Sequence, residues 1–106
     1  MLSSAITERI LEHLGGRRLL ESIGAHNFMS DDNQISFTLG STPRNVHAVT
    51  IAEQTRGVYR VNCYGHIARG TFQAPLIGSA GGVVADNLAT VLGQLTGLDS
   101  LLHRHF

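Results

Sequence analysis

The sequence lacks several features on which common protein chemistries and locations depend. It has a single cysteine, Cys63, so no disulfide can form within the chain and a reducing compartment is expected. No stretch approaches the run of about 18 apolar residues that a membrane-spanning helix needs, and the first residues lack the basic region of a secretion signal. We therefore expect a cytoplasmic protein that has no contact with a membrane.

Charge is also scarce. Charged residues make up 15% of the 106 residues, below the average of about 25% for globular proteins, and the formal net charge is zero. All eight basic residues are arginine, and they are scattered along the chain. Nucleic-acid binding normally depends on a basic stripe that contacts phosphates. The composition therefore favours a surface that contacts other proteins.

The first quarter of the chain has the pattern of two helices separated by glycine. Apolar residues recur at helical spacing from Ile6 to Leu14, and the pair Gly15-Gly16 ends this helix. A second, shorter apolar face follows and ends at Gly24. Glycine readily adopts the left-handed conformation that closes helices, which is why both ends are placed at glycines.

Beyond Ala25 the period changes to the alternation of strands. Ile35, Phe37 and Leu39 alternate with polar residues, which predicts a strand with one face in water. Residues 27–29 are predicted to pair with it as a hairpin across a polar turn. Further strands are predicted at residues 46–53, 58–64 and 67–74.

The last third predicts a connection and one long helix. Residues 75–82 are rich in glycine and are interpreted as a loop, after which apolar residues recur at helical spacing from Val84 to Leu95. Gly97 stands where a left-handed cap would end this helix. The predicted fold is one α+β domain, residues 1–106, with a tail at 99–106. A three- to four-stranded antiparallel sheet packs both terminal helices on one face.

Two stretches resemble a known family. Residues 15–28 contain Gly-x-Arg-x-Leu and Ile-Gly-Ala-x-Asn-Phe, and residues 82–102 contain Ala-Asp-x-Leu and Thr-Gly-Leu. These motifs are similar to those of a family of small proteins from bacteriophages and other mobile elements. The resemblance implies the fold above and a non-enzymatic protein in the host cytoplasm that binds a host or viral protein, for example by inhibiting a defence complex as anti-CRISPR proteins do. It supplies no catalytic residue.

Two chemical sites can be considered from residue types. Cys63 and His66, with His47 on a neighbouring strand, offer zinc-type ligands but lack a fourth, and a lone cysteine in a strand is more often a buried small side chain. The glycines of residues 78–82 precede a helix, as in phosphate sites, but no Lys-Ser or Lys-Thr follows them. We expect no metal, no cofactor, no catalytic residue and no enzymatic activity.

A binding surface is predicted on the face of the sheet turned away from the helices. Residues 58–64 carry a tyrosine in each alternating set, so either Tyr59 or Tyr64 must point outward, near Arg60 and Arg69. Tyrosine and arginine are enriched at the energetic centres of interfaces. The surface is expected to bind a partner protein or a second copy of the chain. Stacking of single-stranded nucleic acid on the same residues is the alternative.

Overall fold

The computed structural model describes residues 5–30, 33–40, 42–66 and 74–98. They form three α-helices, a short 3-10 helix at Ala85–Asn87 and five strands. The helices are α1 (Ala5–His13), α2 (Arg17–Ser22) and α3 (Leu88–Thr96). The strands are β1 (His26–Ser30), β2 (Gln34–Thr38), β3 (Ala48–Thr55), β4 (Val58–Tyr64) and β5 (Leu76–Val84).

The strands form one antiparallel meander in the order β1-β2-β3-β4-β5. The predicted α+β class and the predicted hairpin from residues 27–29 to β2 are confirmed. The described residues form five strands rather than the three or four predicted. The strand predicted at 67–74 lies outside the described residues except for Ala74, which is not in a strand.

One face of the sheet forms the core. Along β2, β3 and β4 alternate residues are buried, as the sequence pattern predicts for a sheet with one covered face. The helices contribute to the same apolar cluster through Ile10 and Leu14 of α1, Leu20 of α2, and Leu88 and Leu92 of α3. The helices therefore pack on the same side of the sheet, and the other side carries no described helix.

The fifth strand corrects the sequence interpretation of residues 75–82 as a loop. The nine residues of β5 pair with β4 from Leu76 to Val84 with two irregularities, although three of them are glycines. Glycine in a strand often marks a close approach. A Cβ on Gly78 would lie 3.3 Å from Cδ2 of Leu95, and one on Gly81 would lie 2.7 Å from Nη2 of Arg60. These glycines make room for side chains packed on either face of β5.

The C-terminal helix begins later than its apolar spacing indicates. Val84 belongs to β5 and is exposed, and the 3-10 helix separates it from the first residue of α3, Leu88. The predicted cap is confirmed, because Gly97 has φ 83° and ψ 10°. The next residue, Leu98, donates its backbone N–H to Oγ1 of Thr96 over 3.3 Å and is itself buried. The cap therefore fixes the chain against the core.

Candidate functional site

The face of the sheet opposite the core is the candidate site, and we call it the open face. It is built from cross-strand rows of outward residues. One row is polar and runs through Ser36, Thr50, Asn62 and Ser79 from β2 to β5. The side chains of this row are small and polar.

The structure decides which tyrosine belongs to the open face. Tyr59 is 1% exposed and lies in the core beside the ring of His13, with the ring centroids 6.1 Å apart. Burial, together with the charge of Glu53, raises the pKa of Tyr59 above its usual value of 10.0. Tyr64 is half-buried and belongs to the outward set of β4. Tyr59 is therefore not part of the predicted surface, whereas Tyr64 is.

Arg60 is a long side chain on this face that makes a hydrogen bond to the neighbouring strand. It is exposed, and its guanidinium donates from Nη1 to Oγ of Ser79 over 3.3 Å. The Ser79 hydroxyl in turn donates to Oδ1 of Asn62 over 2.8 Å. The guanidinium lies above Gly81, where an added Cβ would be 3.0 Å from Cζ. The hydrogen bond to Ser79 and the space left by the glycine at residue 81 place this charge against β5.

The described residues directly beside Arg60 on the two adjacent strands carry no charge. Its partner in the β3 register is Ala52, and the residue beneath its guanidinium on β5 is Gly81, neither of which carries a charge. An ordered guanidinium offers several donors in a planar fork suited to a carboxylate. The fourth predicted residue, Arg69, lies outside the described residues.

A shallow apolar groove, missed from the sequence, crosses the other end of the sheet. It has a volume of about 540 Å³ and is lined by residues of β1, β2 and β3, among them Asn27, Met29, Thr38 and Thr50. An irregularity in the pairing of β1 with β2 lies here, and Asn27 within it has a φ of 57°. A bulge changes which side chains face outward. Simple alternation along the sequence therefore could not indicate this groove.

The groove ends at Met29, which is 66% exposed. Methionine is flexible and polarizable, and it adapts to partners of different shape. The groove is large enough to take an apolar side chain of a protein bound on the open face.

The zinc-type residues are only partly brought together. The rings of His47 and His66 stack with centroids 4.4 Å apart, and Nδ1 of His47 is buried without a hydrogen-bond partner in the described structure. Cys63 is fully buried in the core and pairs with Val49 in the sheet register. Within the described ranges no three His, Cys, Asp or Glu side chains are grouped to hold a metal. The phosphate-site interpretation also loses its geometry, because residues 78–82 form part of β5.

The Cys63 thiol is expected to be unreactive in the folded protein. Burial raises its pKa from 9.0 to about 11, so at about pH 8 only about 0.1% of it is the reactive thiolate. Iodoacetamide should modify Cys63 in denaturant but not in buffer, as followed by mass spectrometry.

Between about pH 9 and pH 11 the unfolded chain loses the Cys63 proton and the folded chain keeps it, so the free energy of unfolding should fall as the pH rises. A Cys63→Ala variant should lack that part of the pH dependence, and rapid labelling of the folded wild type would contradict this placement of the thiol.

None of the described helices has the length and apolar character needed to cross a bilayer.

Comparison with protein-family models, with curated proteins and with solved structures finds no match for this chain. The similarity of its motifs to those of mobile-element proteins therefore stays a prediction.

Proposed function

We propose that this protein is a non-enzymatic binding module whose open face contacts an acidic surface of a partner protein. The observation that carries the proposal is the ordered guanidinium of Arg60, held by Ser79 above Gly81. A charged side chain that is already fixed loses less conformational entropy when it binds. Arginine is also one of the residues that dominate interface energies.

The remainder of the open face suits the periphery of such a contact. Tyr64 lies on the same strand as Arg60 and in the same outward set. The polar row at Ser36, Thr50 and Asn62 presents hydroxyl and amide groups, and the apolar groove ends at Met29. Apolar anchors beside polar groups and one fixed arginine are typical of protein interfaces.

The resemblance to mobile-element proteins indicates which partner to seek. We propose that the partner is a host or viral protein in the cytoplasm of a bacterial host. Binding to a host defence complex, which would inhibit it, is one form of this proposal. Nucleic acid is less favoured, because affinity for phosphates grows with the number of basic contacts. Arg60 is the arginine on the described strands of the open face.

A pair of charge reversals tests the proposal. Arg60 and Arg56 are both exposed, but Arg56 lies in the turn between β3 and β4. Arg60→Glu and Arg56→Glu change the net charge equally. A tagged wild-type chain expressed in a bacterial host should co-purify with its partner, and Arg56→Glu should retain that partner. Arg60→Glu should lower the affinity for the partner by at least about tenfold, which corresponds to about 1.4 kcal/mol. Circular dichroism should show the same fold for all three.

Two results would contradict the proposal. Full retention of the partner by Arg60→Glu would place the contact elsewhere. Equal loss in both variants would mean that net charge, rather than this face, governs binding. The nucleic-acid alternative predicts retention of the wild type on single-stranded DNA at low salt, which is lost steeply as the salt concentration rises.

A further inference from the structure

Among the strands that the structure describes, β5 lies at one edge of the sheet. An edge strand exposes backbone N–H and C=O groups, and proteins commonly guard it by short length, charged residues, proline or bulges. β5 is nine residues long and contains neither a charged residue nor a proline, although its pairing with β4 has two irregularities. The opposite edge, β1, has five residues and an irregularity at Asn27. Of the two edges, β5 is the longer and therefore offers more backbone groups to another strand.

Three large apolar side chains of β5 are exposed, namely Leu76, Ile77 and Val84, and the first and last of them are placed symmetrically about Ala80. Leu76 is 57% exposed and Val84 is 46% exposed. They pair with Tyr64 and Val58 of β4, so both lie on the open face. Each is four positions from Ala80. The two irregularities in the pairing of β5 with β4 also lie on either side of the segment from Gly78 to Ala80.

We propose that β5 pairs antiparallel with β5 of a second copy of this chain, about a two-fold axis at Ala80. In this register Leu76 of each copy lies opposite Val84 of the other, and Ser79 lies opposite Gly81. Directly opposed side chains have Cβ atoms about 4.5–5.5 Å apart, which is contact distance for leucine and valine. The two sheets then form one continuous sheet with a shared open face.

A second copy fits this edge better than an unrelated strand does. A two-fold interface must be complementary to itself, and the placement of Leu76 and Val84 about Ala80 meets that condition. The uncharged strand brings no like charges into direct opposition. The two Arg60 guanidiniums, each above its own Gly81, lie on either side of the axis. Their repulsion is screened by salt, so association should strengthen as the salt concentration rises.

Two double variants test the register, since they differ only in the sign of one charge. In Leu76→Lys with Val84→Lys, lysines oppose each other at both ends of the proposed interface. In Leu76→Lys with Val84→Glu, each lysine opposes a glutamate. Sedimentation equilibrium should show a dimer for the wild type. The dissociation constant of the lysine–lysine variant should exceed that of the lysine–glutamate variant by about tenfold or more, because two opposed pairs change from repulsive to attractive.

Three results would overturn the inference. A wild type that stays monomeric at all concentrations tested would show that β5 does not pair with a second copy. This holds even if β5 pairs with a strand of another protein. Equal association of the two double variants would remove the register. Association of the wild type that weakens with added salt would contradict the placement of the two Arg60 side chains. The positions are exposed in the monomer, so thermal melting should confirm that both variants fold. The inference does not depend on the proposed function, because binding of the partner at Arg60 is measured separately with Arg60→Glu.

Discussion

Replacing Tyr59 with alanine is expected to lower the free energy of unfolding by about 3–5 kcal/mol, as for other large aromatic side chains in cores. Tyr59 is 1% exposed and has the largest volume among the fully buried side chains of the described structure. Removing it leaves a cavity between β4 and α1, where its ring lies beside that of His13. Urea denaturation followed by circular dichroism measures the loss.

Tyr64→Ala is the matched control, because it removes the same side chain from the same strand on the open face. It should cost about 1 kcal/mol or less, as most surface substitutions do, while weakening partner binding. Equal destabilisation by the two substitutions would mean that the assignment of the faces of β4 is wrong.

Gly97→Ala is expected to destabilise the fold by about 2–4 kcal/mol. The φ of Gly97 is 83°, a conformation that costs an alanine about 1–2 kcal/mol. An added Cβ would also lie 2.8 Å from Cβ of Pro43, closer than packed carbon atoms come. The loop that carries Pro43 would have to move away from the end of α3. Thermal and urea unfolding would both report this cost.

Gly24→Ala separates the conformational part of this effect from the steric part. Gly24 has a φ of 97°, but its added Cβ would come no closer than 3.5 Å to the backbone nitrogen of Gly40. We expect a loss of only about 1 kcal/mol at this position. If Gly97→Ala cost no more than Gly24→Ala, the packing of Pro43 against the cap would be disproved.

The central strands could be predicted because burial there follows side-chain alternation. In β2 the residues Ile35 and Phe37 are buried, and the polar residues between them are not. The boundaries of β4 match the predicted segment at Val58–Tyr64. Both helix-ending glycines, Gly24 and Gly97, have positive φ angles, as predicted from their positions after apolar helical faces.

β5 could not be predicted from alternation because its glycines are explained by contacts with side chains from other parts of the chain. An added Cβ on Gly78 would make a tight contact of 3.3 Å with Leu95, and Gly81 lies beneath the Arg60 guanidinium. These contacts join residues far apart in sequence, so local composition indicates a loop. The prediction that places Val84 in the C-terminal helix is wrong for a related reason. Its spacing to Leu88 fits a helix, although it pairs with Val58 in the sheet.

The sequence predicted the strand that carries the candidate site, but not whether Tyr59 or Tyr64 faces outward. Both alternating sets of β4 contain a tyrosine, and the sequence of that strand alone does not say which set faces the core. The register with β3 decides it, since Val49 and Ile51 pair with Cys63 and Val61 and all four are buried. The hydrogen bond from Arg60 to Ser79 could not be predicted without knowing that β5 lies beside β4.

The proposed contact surface is tested most directly by thiol protection in the complex with the partner. Thr50 lies in the centre of the polar row of the open face, and Gln94 is exposed on α3, on the other side of the sheet. Thr50→Cys and Gln94→Cys each add one reactive thiol, because the native Cys63 is buried. Labelling with a maleimide is compared before and after the partner binds. The account predicts that the partner protects the thiol at residue 50 and leaves that at residue 94 reactive, and the reverse pattern would contradict it.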